Sequence, residues 1–277
     1  MRMMLVLVAL LGLAAYPATA APPVDKGAKE LATGQKQSQE KPALAQPVEG
    51  SMAVVPAGEF MMGSPTGDSD EQPVHKVYVD TFSMDKYEVT VGQYAAFLQA
   101  KGIDQPSDWQ TMNQSAHQKR PVANVDWMDW ADANTYCHWA EKRLPTEAEW
   151  EKAARGTDGR LYPWGNDPPT PLHANFGKTD WNNHGVLAAV GTSENGKSPY
   201  GIYDMAGNVW EWVSDWYDYY YYKNSPSQNP TGPSTGGTKV IRGGAWNSSP
   251  RAMRSANRSL ISPTDQGLNG FRCAKTP

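Results

Sequence analysis

Apolar residues follow two different periods along this chain, and the breaks between them mark its elements. From Met52 to Gly63, apolar stretches are interrupted by Pro56-Ala-Gly58, which predicts strand, turn and strand. Val74, Lys76 and Tyr78 alternate with His75, Val77 and Val79, which predicts another strand with apolar groups on both faces. The stretch from Phe82 to Val89 reads as the lead into a helix. Thr90 followed by Gln93, and Thr146 followed by Glu149, each make a capping box. They predict helices from Val91 to Lys101 and from Glu147 to Arg155, stopped by Gly102 and Gly156. Between these, Trp130, Ala133, Cys137 and Ala140 recur at helical spacing, so a helix is expected from Trp127 to Glu141 with Cys137 facing the core. After Gly156 the pattern changes. Gly, Pro, Asn and Asp recur every few residues, and loops are expected over 158–199 and 215–239. Such loops need ties, from metal or from side-chain hydrogen bonds.

Composition fits that picture. With 277 residues, 39% hydrophobic and 19% charged, the chain suits one sizeable globular domain. A net charge of −4 without a long basic run gives no footprint for nucleic acid. The first residues read as a secretory signal: Arg2, an apolar run from Met3 to Ala15, and the small-residue site Ala18-Thr-Ala20. The expected layout is a signal peptide over 1–20, a flexible tether over 21–50 and one domain over 51–277. The tether is rich in Lys, Gln, Glu, Ala and Pro and nearly lacks large apolar groups. A periplasmic or secreted location follows as an expectation, with no stable membrane insertion after cleavage. An even, small cysteine count in an exported chain favours a disulfide between Cys137 and Cys273. A reactive dithiol or a metal pair is the other reading. No two of the histidines show metal-ligand spacing.

Several stretches, in order, carry a family resemblance: Glu88-Val-Thr90, Pro121-Val-Ala-Asn-Val-Asp-Trp127, Lys142-Arg-Leu-Pro-Thr-Glu-Ala-Glu-Trp150 and Tyr162-Pro-Trp-Gly-Asn166. Gly201-Ile-Tyr-Asp-Met-Ala-Gly-Asn-Val-Trp-Glu-Trp212, Arg242-Gly-Gly-Ala-Trp246 and Gly270-Phe-Arg-Cys273 follow. Together they resemble the formylglycine-generating enzyme, or sulfatase-modifying factor, family. The resemblance implies an α+β, loop-rich, modified C-type-lectin-like fold. It also implies pairing of Cys137 with Cys273.

The resemblance implies two calcium sites. In one, Asp204 and Glu211 would supply charge and Gly207 and Val209 carbonyls, a mixed hard-oxygen set that suits calcium. In the other, Asn175 and Phe176 would be completed by Asn182 or Asp180 and the carbonyl of His184. Both sets also read as metal-free turns. Family enzymes hold copper(I) on a cysteine pair a few residues after Arg-Gly-Gly. Here that stretch is Trp246-Asn-Ser-Ser-Pro-Arg-Ala-Met253, with Ser248 at the first cysteine position. A hydroxyl is harder than a thiolate and stays protonated near neutral pH, so copper and formylglycine formation are not expected. Ala245 replaces a usual serine, and Asn269 is shifted one place from the family's Asn.

A ligand cleft is expected near Trp210, Trp246 and Ser248, with Arg251 or Arg254 offering a bidentate contact to an anion. Arg242 and Arg272 read as loop ties, and Arg258 as a further arginine beside the cleft. The aromatic run from Trp216 to Tyr222 serves equally as a platform or as cover over the core. The expected function is an accessory or maturation factor binding a periplasmic protein or peptide. The alternatives are an enzyme of altered chemistry acting on a small exported metabolite, and a carbohydrate-binding module.

Overall fold

The computed structural model describes residues 52–277 apart from 106–108, 124–127, 183, 266 and 268. The expected signal peptide and tether, and Trp127, lie outside the described residues. In chain order the elements are β1 (Met52–Val55), β2 (Gly58–Met62), β3 (His75–Val79), β4 (Phe82–Asp85), α1 (Val91–Lys101), α2 (Trp109–Met112), α3 (Trp130–Trp139) and α4 (Glu147–Arg155). They continue with β5 (Trp210–Trp216), β6 (Lys239–Arg242), β7 (Ser259–Ile261), β8 (Asn269–Gly270) and β9 (Ala274–Lys275).

Both predicted capping boxes form. Thr90 accepts from the Gln93 amide and Thr146 from the Glu149 amide, and each third residue reaches back. α3 is capped by the same device built from Asp129 and Asp132, a pair the sequence reading passed over. The stretch from Phe82 to Val89 leads into α1 as expected, and its first part, Phe82–Asp85, is a strand. Its Phe82 and Met84 are buried, and it pairs with β1 on one side and β9 on the other. The strands after Gly156 were also hidden among loop signals. β5 is buried on both faces through Trp212 and Val213, so it shows no simple alternation.

Among the described residues, sheets form in the orders β1-β4-β9, β2-β3 and β7-β6-β5-β8. β5 pairs antiparallel with β6 and parallel with β8, placing Trp210 opposite Asn269 and Glu211 opposite Gly270. One core cluster joins α1 and α3 to Trp109, Trp212 and Phe271; a second joins β1–β4 to α4, Met205 and Val240. Cys137 on α3 and Cys273 before β9 are bonded to each other, fully buried and 136 residues apart in sequence.

α4 is buried on every side although it carries Glu147, Glu149, Glu151, Lys152 and Arg155. Each charge is therefore paired. Arg242 at the end of β6 donates to Glu147 at 3.0 Å and to Glu151 at 2.7 Å. Arg258 holds the other side of Glu147 at 2.8 and 3.1 Å. Burial alone would raise the Glu147 carboxyl, but Arg258 and Arg242 hold it below the usual range. Glu151 also accepts from the Gly63 amide and Arg155, while Lys152 donates to the carbonyls of Pro56, Gly58 and Val79.

Two stability predictions follow from these ties. Arg242→Met takes one of two paired cations from each of the buried carboxylates Glu147 and Glu151 and should cost about 3–5 kcal/mol. The check is the urea midpoint at constant m-value; a loss below about 1 kcal/mol would show that the cluster tolerates the missing charge. Opening the Cys137–Cys273 loop with a double alanine variant should cost about 2–5 kcal/mol. Unchanged melting would mean that packing of α3 against Phe271 suffices without the bond.

Candidate functional site

After Arg242 the chain reverses through Gly243 and Gly244, at φ of 91° and 77°. A side chain at Gly243 would also press on the Trp150 ring at 3.1 Å, so glycine is required there. The reversal carries Ala245 and Trp246 into a small cluster with Ala123, Val186, Leu187 and Val209, against which half-buried Trp210 packs. Beyond it the Ser248 oxygen accepts from the Ala245 amide at 2.9 Å, and the Ser248 amide donates back to the Ala245 carbonyl. Ser248 thus closes a turn. Among the described residues no imidazole, amine or carboxylate shares a hydrogen bond with its hydroxyl, so nothing there activates it as a nucleophile.

The segment at Gly177 and Lys178 lies alongside, its amides bonded to the carbonyls of Ser248 and Trp246. From there an aromatic chain crosses the face. Trp181, 36% exposed, stands 5.7 Å from Trp246 and 5.3 Å from His184, and His184 stands 5.7 Å from His117. His184 Nε2 faces the Ala123 carbonyl at 3.2 Å, and Arg120 donates to the His184 carbonyl. The sequence reading missed Trp181, His117, Arg120 and the role of His184. These residues share no spacing, and only the fold brings them together.

The arginines expected in the cleft are engaged elsewhere. Arg254 grips Glu71 through two bonds of 2.7 and 2.6 Å, and Arg251 pairs with Asp68. Arg258 is buried on Glu147. An acidic loop at Asp68–Glu71 is the counter-charge: Arg254, largely buried, ties that loop down, whereas Arg251 pairs with it from an exposed position. Arg242 and Arg272 are loop ties as expected. Arg272 donates to Glu211 and to the carbonyls of Asp85, Lys86 and Tyr203. The tyrosine run divides. Tyr217 and Tyr222 bond Asp70 and Glu147 and pack under Arg258, whereas Tyr219 and Tyr220 are exposed.

The two expected calcium sets differ. Near Asp204, three buried carboxylates, Glu88, Asp204 and Glu211, share a single guanidinium, Arg272. Glu211, expected as a metal ligand, is instead held by Arg272 at 2.6 and 2.7 Å and by the Trp150 indole at 2.8 Å. Asp204 accepts from the Gly191 amide at 2.7 Å. Burial pushes its carboxyl up to about 6. Glu88 accepts from Asn208 on one oxygen and has no partner on the other; burial, then Asp204 and Glu211, push it well above the usual range. Gly207 has φ 80°, and a side chain on it would meet the Asn175 carbonyl at 2.5 Å.

Around the second set, several groups have protein partners or are exposed. The Asn175 amide and the Lys178 ammonium both donate to the Val186 carbonyl, at 3.0 and 3.1 Å. Phe176 is half-buried, Asn182 and Asp180 are exposed, and the His184 carbonyl is taken by Arg120. Among the described residues no group of three or more His, Cys, Asp or Glu side chains is placed to hold a metal ion.

Comparison with known proteins agrees with this architecture. Residues 37–277 match the sulfatase-modifying factor enzyme 1-like domain. The formylglycine-generating enzyme of Streptomyces coelicolor is 34% identical over 275 residues, covering 79% of this chain and 87% of that enzyme. The serine/threonine-protein kinase pkn1 of Chlamydia pneumoniae is 37% identical over 250 residues. That alignment covers 83% of this chain, which spans only 38% of the kinase. Among solved structures, PvdO from Pseudomonas aeruginosa superposes with a TM-score of 0.67 at 30% identity, covering 82% of this chain and 94% of PvdO. The chain belongs to the sulfatase-modifying factor enzyme 1-like family and has the loop-rich α+β, modified C-type-lectin-like fold of the formylglycine-generating enzymes.

Proposed function

We propose that this protein is an exported accessory or maturation factor that receives an extended peptide of a partner on the Trp210–Trp246–Ser248 face. The observation that carries the reading is the fate of sulfur. The chain has two cysteines, both locked in one buried disulfide, so no thiol is left to bind copper(I) or to enter oxidase chemistry. What the face offers is aromatic surface and a hydroxyl held in a turn, which suits binding. The export signal read over 1–20 supports a periplasmic or secreted partner. A second reading, an enzyme acting on a small exported metabolite, is favoured by one feature. His117 is buried within the same aromatic chain, and its Nδ1 has no partner.

A cysteine-containing substrate peptide incubated with the protein, copper and oxygen should yield no aldehyde to an aldehyde-reactive probe. Aldehyde above a protein-free control would overturn the non-oxidase reading. Crosslinking of the mature protein in its native compartment should give one dominant adduct that is lost in Trp181→Ala, a variant chosen because its ring is partly exposed and bears on the face. Retention of the adduct in that variant would place the partner elsewhere.

We also propose calcium at the Asp204 set. Asp204 and Glu88 would supply charge, with the carbonyls of Gly207 and Val209, while Glu211 stays on Arg272. The partnerless Glu88 oxygen and the surplus of carboxylates over guanidinium support this set. Bound there, calcium would supply structural charge neutralisation and no catalysis. Chelation should lower the melting temperature, and added calcium should restore it. An unchanged melting curve, with no metal in the untreated protein, counts against the site.

A further inference from the structure

Most buried carboxylates in this protein meet a cation. Glu71, Asp85, Glu147, Glu149, Glu151 and Glu211 each sit in an ion pair. Asp215, 2% exposed near the end of β5, has no such pair among the described residues. Its Oδ2 accepts from neutral donors, the Glu147 amide and the Ser214 hydroxyl, each at 2.9 Å. Glu147 and Glu149 on α4 add negative charge around it, and the Tyr221 phenol lies within reach of its field. Glu147 is itself held by Arg242 and Arg258. The facing cation is Lys239 on β6, which attracts Asp215 without bonding it. Its ammonium donates to the Ser214 carbonyl at 2.7 Å and lies between the Trp130 and Trp216 rings, 3.8 and 3.9 Å from their centroids. The segment 231–237 covers Asp215 and is tied on either side. Asn229 bonds the Tyr78 carbonyl and Asp80, and the Thr238 carbonyl accepts from the Tyr217 amide. Between those ties, Gly232 rests on Asp215 and Gly236 on Trp216, so closely that a side chain on either glycine would meet them at 2.8 Å.

We propose that Asp215 is a pH-sensitive latch for the 231–237 segment: neutral, it stays dry beneath Gly232, and charged, it draws water in and loosens the segment. Desolvation penalises the ion, so a buried carboxyl that meets only neutral donors is stable in its protonated form. Burial, then Glu147, pushes the Asp215 carboxyl up to about 7. Burial lowers the Lys239 ammonium to about 8, so it stays mostly charged while Asp215 ionises. Opening the segment hydrates Asp215 and returns it to the ordinary range near about 4. The open form therefore ionises first as pH rises. Closure is fully favoured below that range, weakens through the interval and levels off above about 7. The segment also borders a cavity. Thr231 lines a polar space of about 410 Å³ with Asn134, Thr146, Ser214 and Asn229, which none of Trp210, Trp246 and Ser248 touches. Release of the segment widens that space, and the latch stands apart from the ligand-binding reading of the Trp246 face.

The test is hydrogen–deuterium exchange of the full mature protein from about pH 5 to about pH 8, each amide corrected for its intrinsic pH dependence. Protection over 231–237 should fall about tenfold or more across that range, while the amides of α1 keep theirs. Asp215→Asn keeps the size and an acceptor for both donors, and it should hold protection at the low-pH level throughout. Lys239→Met removes the attracting charge and should extend the fall to higher pH. A fall of full size in Asp215→Asn would assign the effect to another group. Flat protection in the unmodified protein would show that the segment is not latched. Either result overturns the proposal. Should Asp215→Asn fail to fold, the carboxyl carbon resonance of Asp215 in the unmodified protein decides. A midpoint near neutral supports the latch, and one in the ordinary carboxylate range overturns it.

Discussion

One guanidinium holds this fold together. Arg242 is wholly buried between Glu147 and Glu151, and it also donates to the carbonyls of Ser255 and Ala256. A helix as charged as α4 enters a core only if every charge finds a partner, because desolvation of a lone carboxylate outweighs the packing it would gain. The partners come from far along the chain. Arg242 and Arg258 come from the C-terminal third, Arg143 from the loop before α4, and the Lys152 ammonium is taken by carbonyls beside β1–β3. Packing α4 therefore fixes separate sheets against one another without relying on long apolar strands.

The same geometry sets the face around Trp246. Arg242 is anchored, so the two glycines after it must turn at a fixed place, and that turn drives Trp246 inward and leaves Ser248 at the rim. A second buried guanidinium, Arg272, anchors Glu211 near the start of β5 and gathers the loop ends at Asp85, Lys86 and Tyr203. Between these anchors runs β5, which presents Trp210 to the face beside β8. The site is a by-product of charge pairing on its far side.

Sulfur in this frame is structural. Cys137 and Cys273 serve architecture, closing α3 onto the last strand. Ser248 serves a turn. Among the buried groups without partners are nitrogens of Trp246, Asn269 and His117. The arginines that looked most like ligand contacts are spent on the acidic loop at Asp68–Glu71, a pairing invisible in sequence because it spans more than 180 residues.

The sequence by itself determined the elements whose signals are local. The capping boxes at Thr90 and Thr146 need only neighbouring residues, and the ordered motifs from Glu88 to Cys273 suffice to place the chain in its family. Fold class was legible for the same reason. Only the tertiary structure decided which charges meet, which carboxylate oxygen lacks a partner, and which rings share a face. Glu211 reads as a metal ligand until Arg272 reaches it, and His117, Trp181 and His184 read as scattered until loops bring them together. The reason is physical. Backbone signals act over a few residues, while burial and charge pairing act through space and have no period along the chain.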